Sequence, residues 1–109
     1  MAERFERAFY RLEYPLTARP TLRVGDRSFE VLDLCEEGVR FLLRPGDRVA
    51  VGYGFEGAIR LLSGDVVPVE GKVLRVVGPQ AAAKLLRGVS FGAMLEEQRL
   101  IQQRFLTRR

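Results

Sequence analysis

Histidine and tryptophan are missing from all 109 residues of the chain, and cysteine occurs once. Without histidine there is no Ser-His-Asp triad, no imidazole general base and no His-ligated metal. A lone Cys35 builds neither an internal disulfide nor a thiolate zinc site, and it fits a reducing compartment. No glycine-rich phosphate loop with a following Lys-Ser/Thr is present. The chain is therefore not expected to be an enzyme or to hold a metal or cofactor. No apolar run approaches the roughly 20 residues that a membrane span needs, so no membrane insertion is expected. The opening Met-Ala-Glu-Arg-Phe-Glu-Arg lacks the apolar segment of a secretory signal, and a cytoplasmic location is expected. Lysine is scarce too: of eighteen basic residues only Lys72 and Lys84 are not arginine.

What is present is ordinary for a folded protein. Hydrophobic residues make up 47% and charged residues 29% of the chain. This length predicts one domain over residues 1–109, with a core that has to be used fully. The net charge is +4 and the pI about 9.8. Arg4, Arg7, Arg11, Arg19 and Arg23 crowd the first quarter, and Arg104, Arg108 and Arg109 close the chain. Arginine presents a planar fork suited to phosphate and to the O6/N7 edge of guanine. A solvated basic surface accounts for the same composition, so charge alone permits an anionic partner without identifying one.

Residues 1–14 read as a charged, aromatic arm, helical or extended, ending where Tyr14-Pro15 blocks helical continuation. Thr21–Val24 reads as a strand broken by Gly25-Asp26. From Ser28 the residues alternate, with Phe29, Val31 and Asp33 on one side and Glu30 and Leu32 on the other. After a turn over Cys35–Gly38, Val39–Leu43 resumes as a strand. Arg44-Pro-Gly-Asp47 is a strong turn signal. Strands are expected over Arg48–Phe55, Ala58–Leu62 and Val66–Val77, with Pro68 at an edge or bulge. Gln80–Leu86 reads as a connector with one or two helical turns, and Gly88–Phe91 as a short last strand. Residues 93–106 carry the periodicity of an amphipathic helix: Met94, Ile101 and Phe105 on one stripe, and Glu96, Glu97, Arg99, Gln102 and Gln103 toward solvent. The expected architecture is mainly β: a small antiparallel barrel of six to seven strands over 15–92, with a flexible N-terminal arm over 1–14 and a C-terminal helix and tail over 93–109.

Two motifs stand out. Arg7 and Arg11, four residues apart, are able to clasp a phosphate or a guanine edge through paired hydrogen bonds. Asp33-Leu-Cys-Glu-Glu-Gly38 sits at a tight turn between two apolar runs. Taken alone, the second motif equally fits an ordinary Asp-initiated turn.

Together, Glu6-Arg-Ala-Phe-Tyr-Arg11, Val31-Leu-Asp-Leu-Cys-Glu-Glu-Gly-Val-Arg-Phe41 and Gly88-Val-Ser-Phe91 before a helix resemble the PilZ domain family. The first carries RxxxR and the second D/N-x-S-x-x-G, with cysteine in place of serine. The resemblance covers essentially the whole chain. It implies a receptor for the bacterial second messenger cyclic di-GMP, with Arg7, Arg11, Asp33, Cys35 and Gly38 at the ligand and Arg4 and Tyr10 as accessories. Cysteine is a weaker hydrogen-bonding group than serine, and the exchange is expected to weaken binding roughly 2- to 10-fold. Glu6 stands where the family often has a further arginine linked to a stacked ligand pair, which implies a single ligand here. With no room for an output domain, the receptor is expected to act on a protein effector, as a monomer or weak dimer. One alternative is a PilZ-fold adaptor, in pilus or motility machinery for example, with weak or lost cyclic di-GMP binding. The other is a small barrel binding RNA or single-stranded DNA through its basic ends. Nucleic acid is the less expected partner, because the strand aromatics alternate as core positions.

Overall fold

The structure is a computed structural model and describes residues 11–106. Seven strands follow one another: β1 (Leu12–Glu13), β2 (Thr21–Val24), β3 (Arg27–Cys35), β4 (Gly38–Leu42), β5 (Gly54–Arg60), β6 (Val66–Val77) and β7 (Gln80–Arg87). A helix, α1 (Phe91–Ile101), follows and ends in a π-helical turn over Gln102–Leu106. All pairings are antiparallel. Strands β2, β5, β6, β7, β4 and β3 close into a six-stranded barrel, and β1 adds to β3 from outside. This is the mainly β barrel with a C-terminal helix that the sequence predicts.

Local chemistry sets the connections. Gly25 takes a φ of 63° in the two-residue turn joining Val24 to Arg27, a conformation open to glycine. At Pro45-Gly46 the Asp47 N–H donates to the Arg44 carbonyl at 2.9 Å, closing the turn. Pro68 faces Ala58 of β5, on a stretch of β6 that β7 does not reach. Its missing N–H therefore leaves no gap in a ladder. Inside the barrel, Leu22, Val31, Leu34, Ile59, Val69 and Val73 are buried together with Met94 from the helix.

Four expectations need correction. Residues 80–87 are strand, not helical turns: Ala81, Ala83 and Leu85 are buried at period two, a pattern that alanine's small size disguises as helix propensity. Arg48–Tyr53 is loop, and the two strands expected over Arg48–Phe55 and Ala58–Leu62 are a single strand, β5, over Gly54–Arg60. Gly88–Ser90 forms no strand; the Ser90 side chain instead accepts from the Ala93 N–H at 3.1 Å and caps the helix. That cap starts the helix two residues earlier than the apolar stripe indicates, and the regular helix stops at Ile101. Among the described residues no helix is long and apolar enough to cross a membrane.

Candidate functional site

Asp33 owes its position to a β-bulge. Val31 faces Phe41 and Asp33 faces Arg40, leaving Leu32 as an extra residue on β3. Strict alternation puts Asp33 on the side of Phe29 and Val31, but the extra residue reverses the parity. Leu34 now points inward with Val39, and Asp33 joins Arg40 on the outer face. There the carboxylate is buried, with a side-chain exposure of 5%. Its Oδ2 accepts from Arg40 Nε at 2.8 Å and Nη2 at 2.5 Å. Arg40 Nη1 donates on to Gln80 Oε1 at 3.2 Å. A buried carboxylate requires such a partner.

Strand β1 brings the other motif alongside. Leu12 faces Leu34 and Glu13 faces Asp33, so the same register carried back one residue sets the exposed Arg11 beside Cys35. Cys35 is half-buried and faces Gly38 across the turn. The turn is held from below. Leu85 N–H donates to the Glu37 carbonyl at 2.9 Å, and Gly88 packs so close to the Glu36 carbonyl that a Cβ there would collide with it. Gly38 differs. Its φ is not positive, and a Cβ there would meet nothing nearer than 3.5 Å. Neither a left-handed conformation nor contact with the rest of the barrel therefore demands glycine at 38, and the absent side chain leaves clearance on the outer face. Arg11, Asp33, Cys35 and Gly38 thus share one region; Arg4, Arg7 and Tyr10 lie outside the described residues. A cavity of about 700 Å³ lies where β5 begins, lined by Phe29, Phe41, Tyr53 and Phe55 among others, and Arg11, Asp33, Cys35 and Gly38 do not line it.

The sequence model of the PilZ domain family matches residues 5–108. The chain is a PilZ domain. Its fold is also that of a solved structure titled "Structure of Bacillus subtilis Inhibitor of motility (MotI/DgrA)", with a TM-score of 0.62 at 14% sequence identity. The similarity covers 93% of this chain and 52% of that one, so this PilZ domain spans about half the length of its structural neighbour. None of the curated proteins compared matches it.

A second polar cluster ties the PilZ barrel to its helix. Glu97 is expected at solvent, yet it is fully buried on the stripe of Met94 and Ile101. Its Oε1 accepts from the Tyr14 hydroxyl at 2.7 Å and the Leu62 N–H at 2.9 Å, and its Oε2 from the Ser63 N–H at 2.9 Å. Burial pushes the Tyr14 phenol far above its ordinary range, and the hydrogen bond and negative charge of Glu97 push it further. Three residues of this domain take roles that the motifs do not give them. Arg40 is signalled only as a cation seven positions after Asp33. Gly88 is read as the start of a last strand and carries no signal of its packing on Glu36, and Glu97 is signalled by its i, i+3, i+7 spacing with Met94 and Ile101.

Proposed function

We propose that this PilZ domain is a cyclic di-GMP receptor that regulates a protein partner by changing its surface when the ligand binds. The observation that carries this reading is the pairing of β1 with β3, which sets Arg11 beside the Asp33–Gly38 turn on one outer face. Arg11, with Arg7 four residues before it, forks onto phosphate or guanine O6/N7. Asp33 accepts from guanine N–H groups while Arg40 holds its Oδ2, Cys35 supplies a weak polar contact, and the bare Gly38 leaves room for the ligand. A ligand held between arm and barrel fixes the N-terminal residues against β3 and presents a new surface to the effector. Titration calorimetry tests this. Arg11→Ala is expected to weaken binding about 5- to 150-fold. Absence of heat at roughly tens of micromolar wild-type protein sinks the reading.

Two observations favour a second reading, a protein-interaction adaptor with weak or lost ligand binding. Cys35 stands in for serine, and the Asp33 carboxylate is already engaged by Arg40. The likeness to an inhibitor of motility suits a partner in motility machinery. Cys35→Ser separates the readings. A gain of about 2- to 10-fold marks a working site. Binding that appears only in the serine variant marks a degenerate one.

A further inference from the structure

Beyond the motif residues, the outer face carries a second bulge. On β6, Val73 faces Ala83 and Arg75 faces Ala82, leaving Leu74 as the extra residue. Val73 and Ala83 are buried, so strict alternation would turn Arg75 inward; the bulge turns it outward instead. Arg40 faces the same Ala82 from the other side. Asp33, Arg40, Ala82 and Arg75 therefore form one row across four adjacent strands. Two strand spacings set the Arg40 and Arg75 backbones about 10 Å apart, with only a methyl group between them. A hollow of about 240 Å³ lies there, lined by Arg40, Arg75, Val77, Gln80, Ala81 and Ala82. The Arg40 guanidinium is fixed by Asp33 and Gln80. Among the described residues no hydrogen bond or ion pair engages Arg75.

We propose that Arg75 is a further ligand-recognition residue, which takes the guanine distal to Asp33 into the hollow between Arg40 and Arg75. This rests on the cyclic di-GMP reading above. The small Ala82 gives a planar base a floor without obstruction. Arg40, committed to Asp33 and Gln80, is a fixed wall. Arg75 is the uncommitted fork, and a fork of N–H donors matches the two acceptors on the O6/N7 edge of guanine. Adenine puts an N–H donor where guanine has O6, so Arg75 also selects between the two bases.

Calorimetry at physiological salt with cyclic di-GMP and cyclic di-AMP tests the assignment. Arg75→Ala is expected to weaken cyclic di-GMP binding about 5- to 150-fold and to narrow the preference over cyclic di-AMP. Arg75→Lys recovers only part of the loss, because an ammonium has no fork. The control is the double variant Arg23→Ala, Arg60→Ala, which removes two exposed cations level with Pro68 and Val66 of β6, seven and nine residues from Arg75 and so more than about 20 Å along the strand. It is expected to change binding by no more than about twofold, since screening acts within about 8 Å. Binding lost in Arg11→Ala but kept within about twofold in Arg75→Ala overturns the role of Arg75 and leaves the receptor reading standing. Equal losses in Arg75→Ala and the Arg23, Arg60 control, both vanishing at high salt, reduce Arg75 to a general field and also overturn it. No binding by the wild type overturns both readings.

Discussion

The Tyr14 hydroxyl donates to Glu97 Oε1 at 2.7 Å, joining residues 83 positions apart. Tyr14 follows β1 directly, and Glu97 sits in the middle of α1, so one contact ties the described end of the arm to the closing helix. The same carboxylate satisfies the Leu62 and Ser63 N–H groups of the β5–β6 connection. Tyr14→Phe removes one of three donors while keeping the ring in its buried site. A hydrogen bond to a charged group contributes about 1.5–3 kcal/mol, so urea denaturation is expected to show a loss in that range. Glu97→Gln is expected to cost at least as much, because its amide turns a donor toward groups that are themselves donors. A change within about 0.5 kcal/mol in both variants contradicts this account of the contact.

The same contact gives a pH dependence. Unfolded, the Tyr14 phenol ionises near pH 10; folded, burial and Glu97 hold its proton well beyond that. Below about pH 10 both states carry the proton, and this group's contribution is fully present. Above it the unfolded state releases a proton that the folded state keeps, so stability falls by up to about 1.4 kcal/mol per pH unit. Tyr14→Phe lacks the phenol. The stability difference between wild type and variant, followed by denaturant titration from neutral to pH 11 or so, is expected to shrink only above about pH 10.

Two glycines near the turn predict opposite outcomes. A Cβ at Gly88 collides with the Glu36 carbonyl, which is backbone and has little room to move. Gly88→Ala is expected to destabilise the domain by about 1–3 kcal/mol through overpacking. A Cβ at Gly38 meets the Ala83 carbonyl and Cys35 Sγ at 3.5 Å, an ordinary contact. Gly38→Ala is therefore expected to leave stability within about 1 kcal/mol of wild type, while its methyl group enters the clearance that the receptor reading gives to the ligand. Thermal unfolding and ligand titration on the same two proteins check the pair. A destabilised Gly38→Ala would show that the glycine serves the fold and not the site.

The barrel was legible in the sequence because its turns are written in glycine and proline and its hairpins in alternating apolar residues. Gly25-Asp26 and Pro45-Gly46 mark turns that the structure places where expected. Strand β7 was misread because Ala81 and Ala83 fill inward positions with side chains too small to register as an apolar pattern. The bulges were hidden for another reason. Leu32 and Leu74 resemble any other strand leucine, and only cross-strand pairing shows that each is an extra residue. Each bulge changes the face on which a charged residue lies, Asp33 in one case and Arg75 in the other. The motifs named Arg11, Asp33, Cys35 and Gly38, but not Arg40, whose importance comes from facing Asp33 across a ladder. Glu97 was missed because a buried carboxylate looks like a solvated one until its three donors are in place.

Arg40 makes the last prediction. Its guanidinium places two hydrogen bonds on Asp33 Oδ2, while its own side chain is 39% exposed and that of Asp33 only 5%. The exposure of Arg40 lets solvent screen part of the attraction, so the pair's coupling in a double-mutant cycle is expected at about 1–2 kcal/mol. The two single variants should differ. Arg40→Ala leaves a buried carboxylate without its partner and is expected to destabilise the domain by about 1–3 kcal/mol. Asp33→Asn keeps an acceptor for Arg40 and leaves only the more exposed charge uncompensated, so its stability loss is expected to be the smaller of the two. On the receptor reading, ligand binding is expected to fall in both, because Arg40 then fixes the carboxylate offered to guanine and asparagine presents a donor where an acceptor is needed. Unfolding and calorimetry on the two single variants and the double variant test this order. Equal stability losses, or undiminished binding in Arg40→Ala, would show that the pair only neutralises charge and does not position Asp33.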